Sequence, residues 1–233
     1  MSTSYDIVYF VKEEKINEEL RFSLRSIERN FPHARVWFYG CAPEGIKPDK
    51  LVRFVQANEE KYSNVGTMMT MAFANKEISE NFWIFNDDFF IMKPIKDYKP
   101  HYDGDLYRYI VTVENNNDEQ VSRYTHILRS TAKLLEENGL QTRNYETHTP
   151  LLINREKALF IREHFGAGMA FRSLYGNYWK IGGVDQSDVK TADPSTPFNK
   201  DSDILSTSDT SFKVGDIGEY IRNKFQNKSR FED

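Results

Sequence analysis

The chain carries one cysteine, Cys41, in 233 residues. No intrachain disulfide can form, and no cysteine-rich zinc cluster can be built. It has no continuous apolar stretch of the ~18 residues that a membrane-crossing helix needs. It has no repeat, no low-complexity tract and no clear interdomain linker. It also lacks a positive excess: 31 Lys and Arg against 35 Asp and Glu leave a net charge of −4. That balance argues against a general binder of the nucleic-acid backbone, which needs a clustered basic surface. Met1–Asp6 shows no basic-then-apolar signal pattern. The expectation is a soluble, cytoplasmic protein.

What is present excludes disorder and fibres. Hydrophobic residues make up 39% and charged residues 28%, a globular composition. A chain of this length buries roughly 70% of its unfolded surface, so one elaborated domain, residues 1–233, is expected. Aromatics are abundant, with 17 Phe and 13 Tyr, which core packing largely explains.

The first half alternates regularly. Ile7–Val11 is a short β-branched and aromatic run, predicting a buried strand. Glu18 to Asn30 predicts a helix, with Leu20, Leu24, Ile27 and Phe31 on one face and Pro32 closing it. Val36–Tyr39 and Leu51–Val55 predict two further strands. Thr67–Ala74 predicts a helix and Phe82–Phe85 a fourth strand, followed at once by Asn86, Asp87 and Asp88. This order implies an α/β fold with a mostly parallel sheet flanked by helices. Such sheets bind ligands beyond the carboxyl ends of their strands, where Asp87 and Asp88 would lie.

The second half is less regular. Leu106 to Val113 alternates and predicts a strand, Asn115 to Asp118 a turn, and Ser122 to Glu137 a helix. Leu151–Ile153 predicts a short strand, with Asn154 capping a helix over Arg155–Phe165. Gly166 to Pro197 is rich in Gly, Ser, Asp and Pro and reads as a long functional loop or lid. A strand at Asp203–Leu205 and a last helix from about Gly215 to Phe225 complete the chain.

A few residues could carry chemistry. Asp87 and Asp88 could hold Mg²⁺ or Mn²⁺, hard cations that prefer oxygen ligands, although adjacent aspartates also occur in solvated turns. Asp209 could add a third carboxylate or simply sit at a helix start. Arg21 and Arg25 stand at i and i+4 on the first helix. They could clamp phosphate oxygens or pair with acids on a solvated face. His148 could act as a general base near neutral pH or be a surface histidine. Arg172 could reach a phosphate.

These segments resemble the Stealth family of sugar-1-phosphate transferases. Asp6–Tyr9 is similar to the start of its first block. Glu19–Glu28, then Val36–Tyr39 and Phe82–Phe89, look like its second block. His148-Thr149-Pro150, with Asn154-Arg155 after it, resembles the third. Ser208-Asp209 and the tail ending Ser229-Arg230-Phe231-Glu232 resemble the fourth. Two departures stand out: Lys12-Glu13-Glu14 follows the first strand, where the family has a Trp-Val-Asp-Gly-like turn, and Ser208-Asp209 replaces Asn-Asp. The chain is also short for the family.

The resemblance implies a Rossmann-like, GT-A-type fold. Residues 1–98 would form a nucleotide-sugar-binding half. Residues 99–233 would form an irregular acceptor-side half containing loop 166–202. It implies Asp87, Asp88 and Asp209 as metal ligands, His148 as base, Arg172 as a phosphate binder, and roles for Asp88 and Arg172 in catalysis. The implied reaction moves a sugar-1-phosphate from a nucleotide-sugar donor to a hydroxyl, such as that of a glycan in polysaccharide biosynthesis. The alternative is a GT-A glycosyltransferase that moves the sugar itself and releases a nucleoside diphosphate. The altered first block and the short length favour that alternative. A modified-DNA acceptor would suit it too, but the acidic balance argues weakly against nucleic acid. A third reading is a non-enzymatic α/β interaction module.

Overall fold

The computed structural model describes residues 4–56, 61–115 and 119–233. The chain forms two compact units. The first holds residues up to Tyr98, then His148–Ile153 and Val189–Asp233; the second holds Lys99–Thr147 and Asn154–Asp188.

Along the chain the strands are β1 (Asp6–Val11), β2 (Val36–Gly40), β3 (Lys50–Arg53), β4 (Asn81–Phe85), β5 (Phe89–Ile91), β6 (His101–Tyr102), β7 (Leu151–Asn154), β8 (Val184–Asp185), β9 (Lys190–Thr191) and β10 (Ile204–Thr207). The helices are α1 (Glu18–Asn30), α2 (Lys61–Ala74), α3 (Leu106–Glu114), α4 (Glu119–Glu137), α5 (Arg155–Phe165), α6 (Phe171–Tyr178), α7 (Asp209–Val214) and α8 (Asp216–Lys224).

The first unit is built on a five-stranded sheet of order β3-β2-β1-β4-β7. The β1–β2, β1–β4 and β2–β3 pairs are parallel. The mixed α/β architecture and mostly parallel sheet read from the sequence are therefore present. Alternation within β1 explains why its run is apolar throughout. Ile7, Tyr9 and Val11 pack with Leu20, Leu24 and Ile27 of α1. The opposite side of the sheet meets α2, where Phe73 touches Phe82 with ring centroids 6.2 Å apart. A sheet covered on both faces needs apolar residues at every strand position. Each fully buried large side chain contributes about 1.5–3 kcal/mol.

A second, three-stranded sheet of order β5-β10-β9 follows. β5 is antiparallel to β10, and β10 is parallel to β9. The other edge of β5 is satisfied by side chains of α1. Ser23 Oγ donates to the Phe89 carbonyl (2.6 Å), Ser26 Oγ accepts from Ile91 N (2.9 Å), and Asn30 Nδ2 donates to the Ile91 carbonyl (2.7 Å). These side chains recur at i, i+3 and i+7, so the helix offers β5 a polar stripe in place of a strand. Ser23, Ser26 and Asn30 are buried, and all three are hydrogen-bonded. α7, α8 and the residue after α8 cover this sheet through Phe212, Ile217, Ile221 and Phe225, and Phe90 stacks on Phe212 at 5.6 Å.

In the second unit, α3 packs with α4, and α6 with α4 and α5. β6 and β8 form a parallel pair. Leu106 to Val113 is helical, not the predicted strand. Asp105 caps it by accepting from Tyr107 N at 2.8 Å. Leu106, Ile110 and Val113 then fall on one buried face, so the 3.6-residue period prevails over the alternation. The expected loop 166–202 is also more ordered than predicted. It contains α6, β8 and β9, and in α6 every residue from Phe171 to Asn177 is buried. The turn expected at Asn115–Asp118 lies outside the described residues from 116 on. Asn154 caps α5 as predicted, accepting from Lys157 N at 3.1 Å.

Candidate functional site

In the first unit the strand order changes direction at β1. The chain runs outward from β1 to β2 and β3, then returns to place β4 on the other side of β1. In open α/β sheets the crevice at the carboxyl ends of the two strands flanking such a reversal is the usual ligand site. Two segments meet there: Lys12 to Asn17 after β1, and Asn86 to Asp88 after β4.

Asn17 joins them. Its Oδ1 accepts from Leu20 N at 2.7 Å and caps α1. Its Nδ2 donates to Asp87 Oδ2 at 2.7 Å and also to Glu14 Oε1. One amide thus starts the helix and fixes a carboxylate on the neighbouring strand end. Burial, reinforced by the charge of Asp88, pushes the Asp87 carboxyl up to about 6.

Asp88 is buried. Its Oδ2 accepts from Ser206 Oγ on β10 at 3.2 Å and from the Lys190 ammonium on β9. Among the described residues its Oδ1 has no hydrogen-bond partner. A buried carboxylate oxygen without a donor is costly to hold. Glu19 adds a third acid from the first turn of α1, where its Oε1 accepts from Thr207 Oγ1. Burial pushes Glu19 up to about 8. The charges of Asp87, Asp88 and Asp209 add to that rise, against the Thr207 hydrogen bond. Burial also raises the Glu14 carboxyl. Asp87, Glu19 and Glu14 therefore favour either protons or a nearby cation.

Asp209 is the first residue of α7, after a Ser208–Ser211 capping box. A carboxylate there is stabilised by the helix N-terminus. Its charge reaches Glu19 and Glu14. Among the described residues, however, no three acidic, histidine or cysteine side chains are grouped so as to hold an ion. The three expected ligands Asp87, Asp88 and Asp209 are thus not a ready-made cage. The donor set nevertheless suits a hard dication, since it consists of carboxylate oxygens and one of them is orphaned. Mg²⁺ is commonly held by one or two carboxylates plus substrate phosphates, not by an all-protein shell.

His148 lies three residues before β7, the strand beside β4. Its ring lies edge-on to Phe89 at 6.4 Å, and Phe89 follows Asp88. The structure therefore sets the His148 ring against the residue that follows the acid pair.

The expected arginine clamp differs. Arg25 forms a forked pair with Glu232 through Nε and Nη2, both at 2.7 Å, and its Nη1 donates to the Phe225 carbonyl at 2.9 Å. Arg21 Nε lies 3.7 Å from the same carboxylate. Arg25 thus anchors the C-terminal segment and is not open to a phosphate. Glu232 is partnered across 207 residues, which no helical i,i+4 rule could reveal. Arg172 belongs to the second unit. It is buried there, and its Nε donates to the Tyr145 carbonyl at 3.0 Å.

Sequence reasoning passed over Asn17, Glu19 and Lys190. Asn17 had a signal, since an asparagine before Glu18-Glu19 is a helix-start signature. Glu19 carries only the weak signal of an acid in the first turn of a helix. Lys190 had no local signal, because it meets Asp88 only through the pairing of β9, β10 and β5.

No protein-family model matches the chain, and no curated protein matches it.

Proposed function

We propose that the first unit is the core of a nucleotide-sugar-dependent transferase of GT-A type. It would move a sugar-1-phosphate to an acceptor hydroxyl, as the Stealth resemblance implies. The observation that carries this reading is the acid pair Asp87–Asp88 at the carboxyl end of β4, beside β1, where the strand order reverses. Asp87 and Asp88 would hold a divalent cation together with the donor diphosphate. That ion, when bound, would supply charge stabilisation for the departing nucleotide.

The chain's own residues divide the remaining work. Asn17 orients Asp87. Lys190 and Ser206 orient Asp88. His148 would take the acceptor hydroxyl proton. Such chemistry depends on position and charge more than on covalent steps by the protein. Glycan acceptors and a role in polysaccharide biosynthesis follow from the resemblance alone.

A donor panel of nucleotide sugars with Mn²⁺ tests the reading. Nucleoside monophosphate release with a phosphodiester on the acceptor is expected. Nucleoside diphosphate release with a plain glycosidic bond installs the glycosyltransferase, which the Lys12-Glu13-Glu14 turn favours. No turnover with any donor, and no metal-dependent change in thermal stability with or without nucleotide, points to the interaction module.

A further inference from the structure

The second unit has its own cleft, of about 290 Å³, whose lining includes Gly139, Gln141, Arg143, Tyr145, Lys180 and Gly182. That volume lies at the small end of ligand pockets. Two cationic side chains line it and no carboxylate does. Among the described residues neither Arg143 nor Lys180 is in a salt bridge with an acid.

The walls are fixed in advance. Arg143 lies over the Tyr102 ring, 4.6 Å from its centroid. Tyr145 donates its hydroxyl to the Gly182 carbonyl at 2.7 Å. The Tyr145 ring sits so close to Gly176 that a Cβ there would come within 2.6 Å of it. Lys180 is the more telling residue. Its φ of 50° is the only left-handed value at a non-glycine position among the described residues. It follows the end of α6, where Ile181 N bonds to the Gly176 carbonyl and Lys180 N to the Asn177 carbonyl. Glycine is the usual residue at this kind of helix end, and glycines stand two and three residues on. Lysine therefore stands at a backbone position that glycine adopts at lower cost. Left-handed backbone at Lys180 and Gly182 also suits amide concavities that take anions.

We propose that this cleft binds a small ligand through a compact oxyanion group, a phosphate ester or a carboxylate. Arg143 would supply a forked pair of donors and Lys180 a point charge. This site is independent of the transferase reading.

The test is calorimetric titration of the intact protein with glucose 6-phosphate, glucuronate, inorganic phosphate and neutral glucose. Binding of at least one charged ligand, and none of glucose, is expected. Phosphate-only binding identifies a phosphate ester as the source; glucuronate binding identifies a carboxylate. Lys180→Gly and Arg143→Gln should each weaken binding roughly tenfold or more. Lys180→Gly should also leave the thermal midpoint unchanged or raise it, because glycine relieves the strain. Unchanged affinity in both variants, binding of glucose as tight as that of the charged ligands, or no binding at all would overturn the proposal.

Discussion

Asn17 holds Asp87 and α1 at once: Nδ2 donates to Asp87 Oδ2 at 2.7 Å while Oδ1 accepts from Leu20 N at 2.7 Å. Helix initiation and carboxylate placement therefore share one side chain, and substitutions can separate them. Asn17→Ala removes both and should lower stability by about 1 kcal/mol through the lost cap. Asn17→Ser keeps a cap oxygen but has no amide to give Asp87. Serine should recover most of the thermal midpoint and little of the turnover. A serine variant with full turnover would show that the Asp87 contact is dispensable.

The raised acids predict an unusual pH dependence of stability. Asp87 at about 6 and Glu19 at about 8 both lie above ordinary unfolded values of roughly 3.9 and 4.3. At these two positions the native state therefore binds more protons than the unfolded state between about pH 4 and 8, and their contribution to stability falls as pH rises through that window. Glu232 works in the opposite sense. Burial alone would raise it, but Arg25 outweighs burial and holds it below its ordinary value. Its contribution is present above the unfolded value and is lost as pH falls through the folded one. The thermal midpoint should thus pass through a maximum on the acid side of neutrality. Asp87→Asn and Glu19→Gln should each raise the midpoint at pH 8 and flatten the slope. Variants whose midpoint at pH 8 and whose slope match wild type would contradict the raised carboxyls.

Much of this fold is legible along the chain because its signals are local. Ile7–Val11, Val36–Tyr39 and Phe82–Phe85 are apolar at every position, as strands covered on both faces must be. Asp87 and Asp88 follow such a run directly, so their place at a strand end could be read. Leu106–Val113 could not be settled by pattern, because its apolar residues satisfy both periods until the Asp105 cap decides. α6 was hidden in a stretch whose glycines and prolines suggest a loop. Arg25 and Lys190 find their partners 207 and 102 residues away. Those pairings depend on sheet order and on the path of the C-terminal segment, which no window along the chain contains.

Lys190 offers a test of the cation reading. Its ammonium neutralises one oxygen of Asp88, and removing it leaves a buried carboxylate unpaired. Breaking such a pair costs roughly 3–5 kcal/mol when fully buried, and less here because the lysine side chain is a quarter exposed. Lys190→Met should therefore lower the thermal midpoint. Mn²⁺ with a nucleoside diphosphate should restore more of it than the same addition gives the wild type, since the ion would meet a freed ligand. Lys190→Met combined with Asp88→Asn should recover stability without any metal effect. If Mn²⁺ and nucleotide leave the single variant unchanged, Asp88 is not a metal ligand.

Under the proposed transferase reading His148 is the protein base, and substitutions can test that role. Its ring meets Phe89 edge-on, an aromatic contact worth roughly 0.5–1.5 kcal/mol. Loss of the ring therefore has a structural cost that must be separated from chemistry. His148→Ala should lower turnover about 10²- to 10⁴-fold while changing donor affinity little, because a base acts in the transition state and not in donor binding. His148→Phe keeps an aromatic ring against Phe89 but accepts no proton. It should hold the thermal midpoint near wild type and be as slow as alanine. Added imidazole should partly restore the alanine variant and leave the phenylalanine variant slow, since only the smaller side chain leaves room for the free base. If phenylalanine restores turnover, the ring serves packing alone and His148 is not the proposed base.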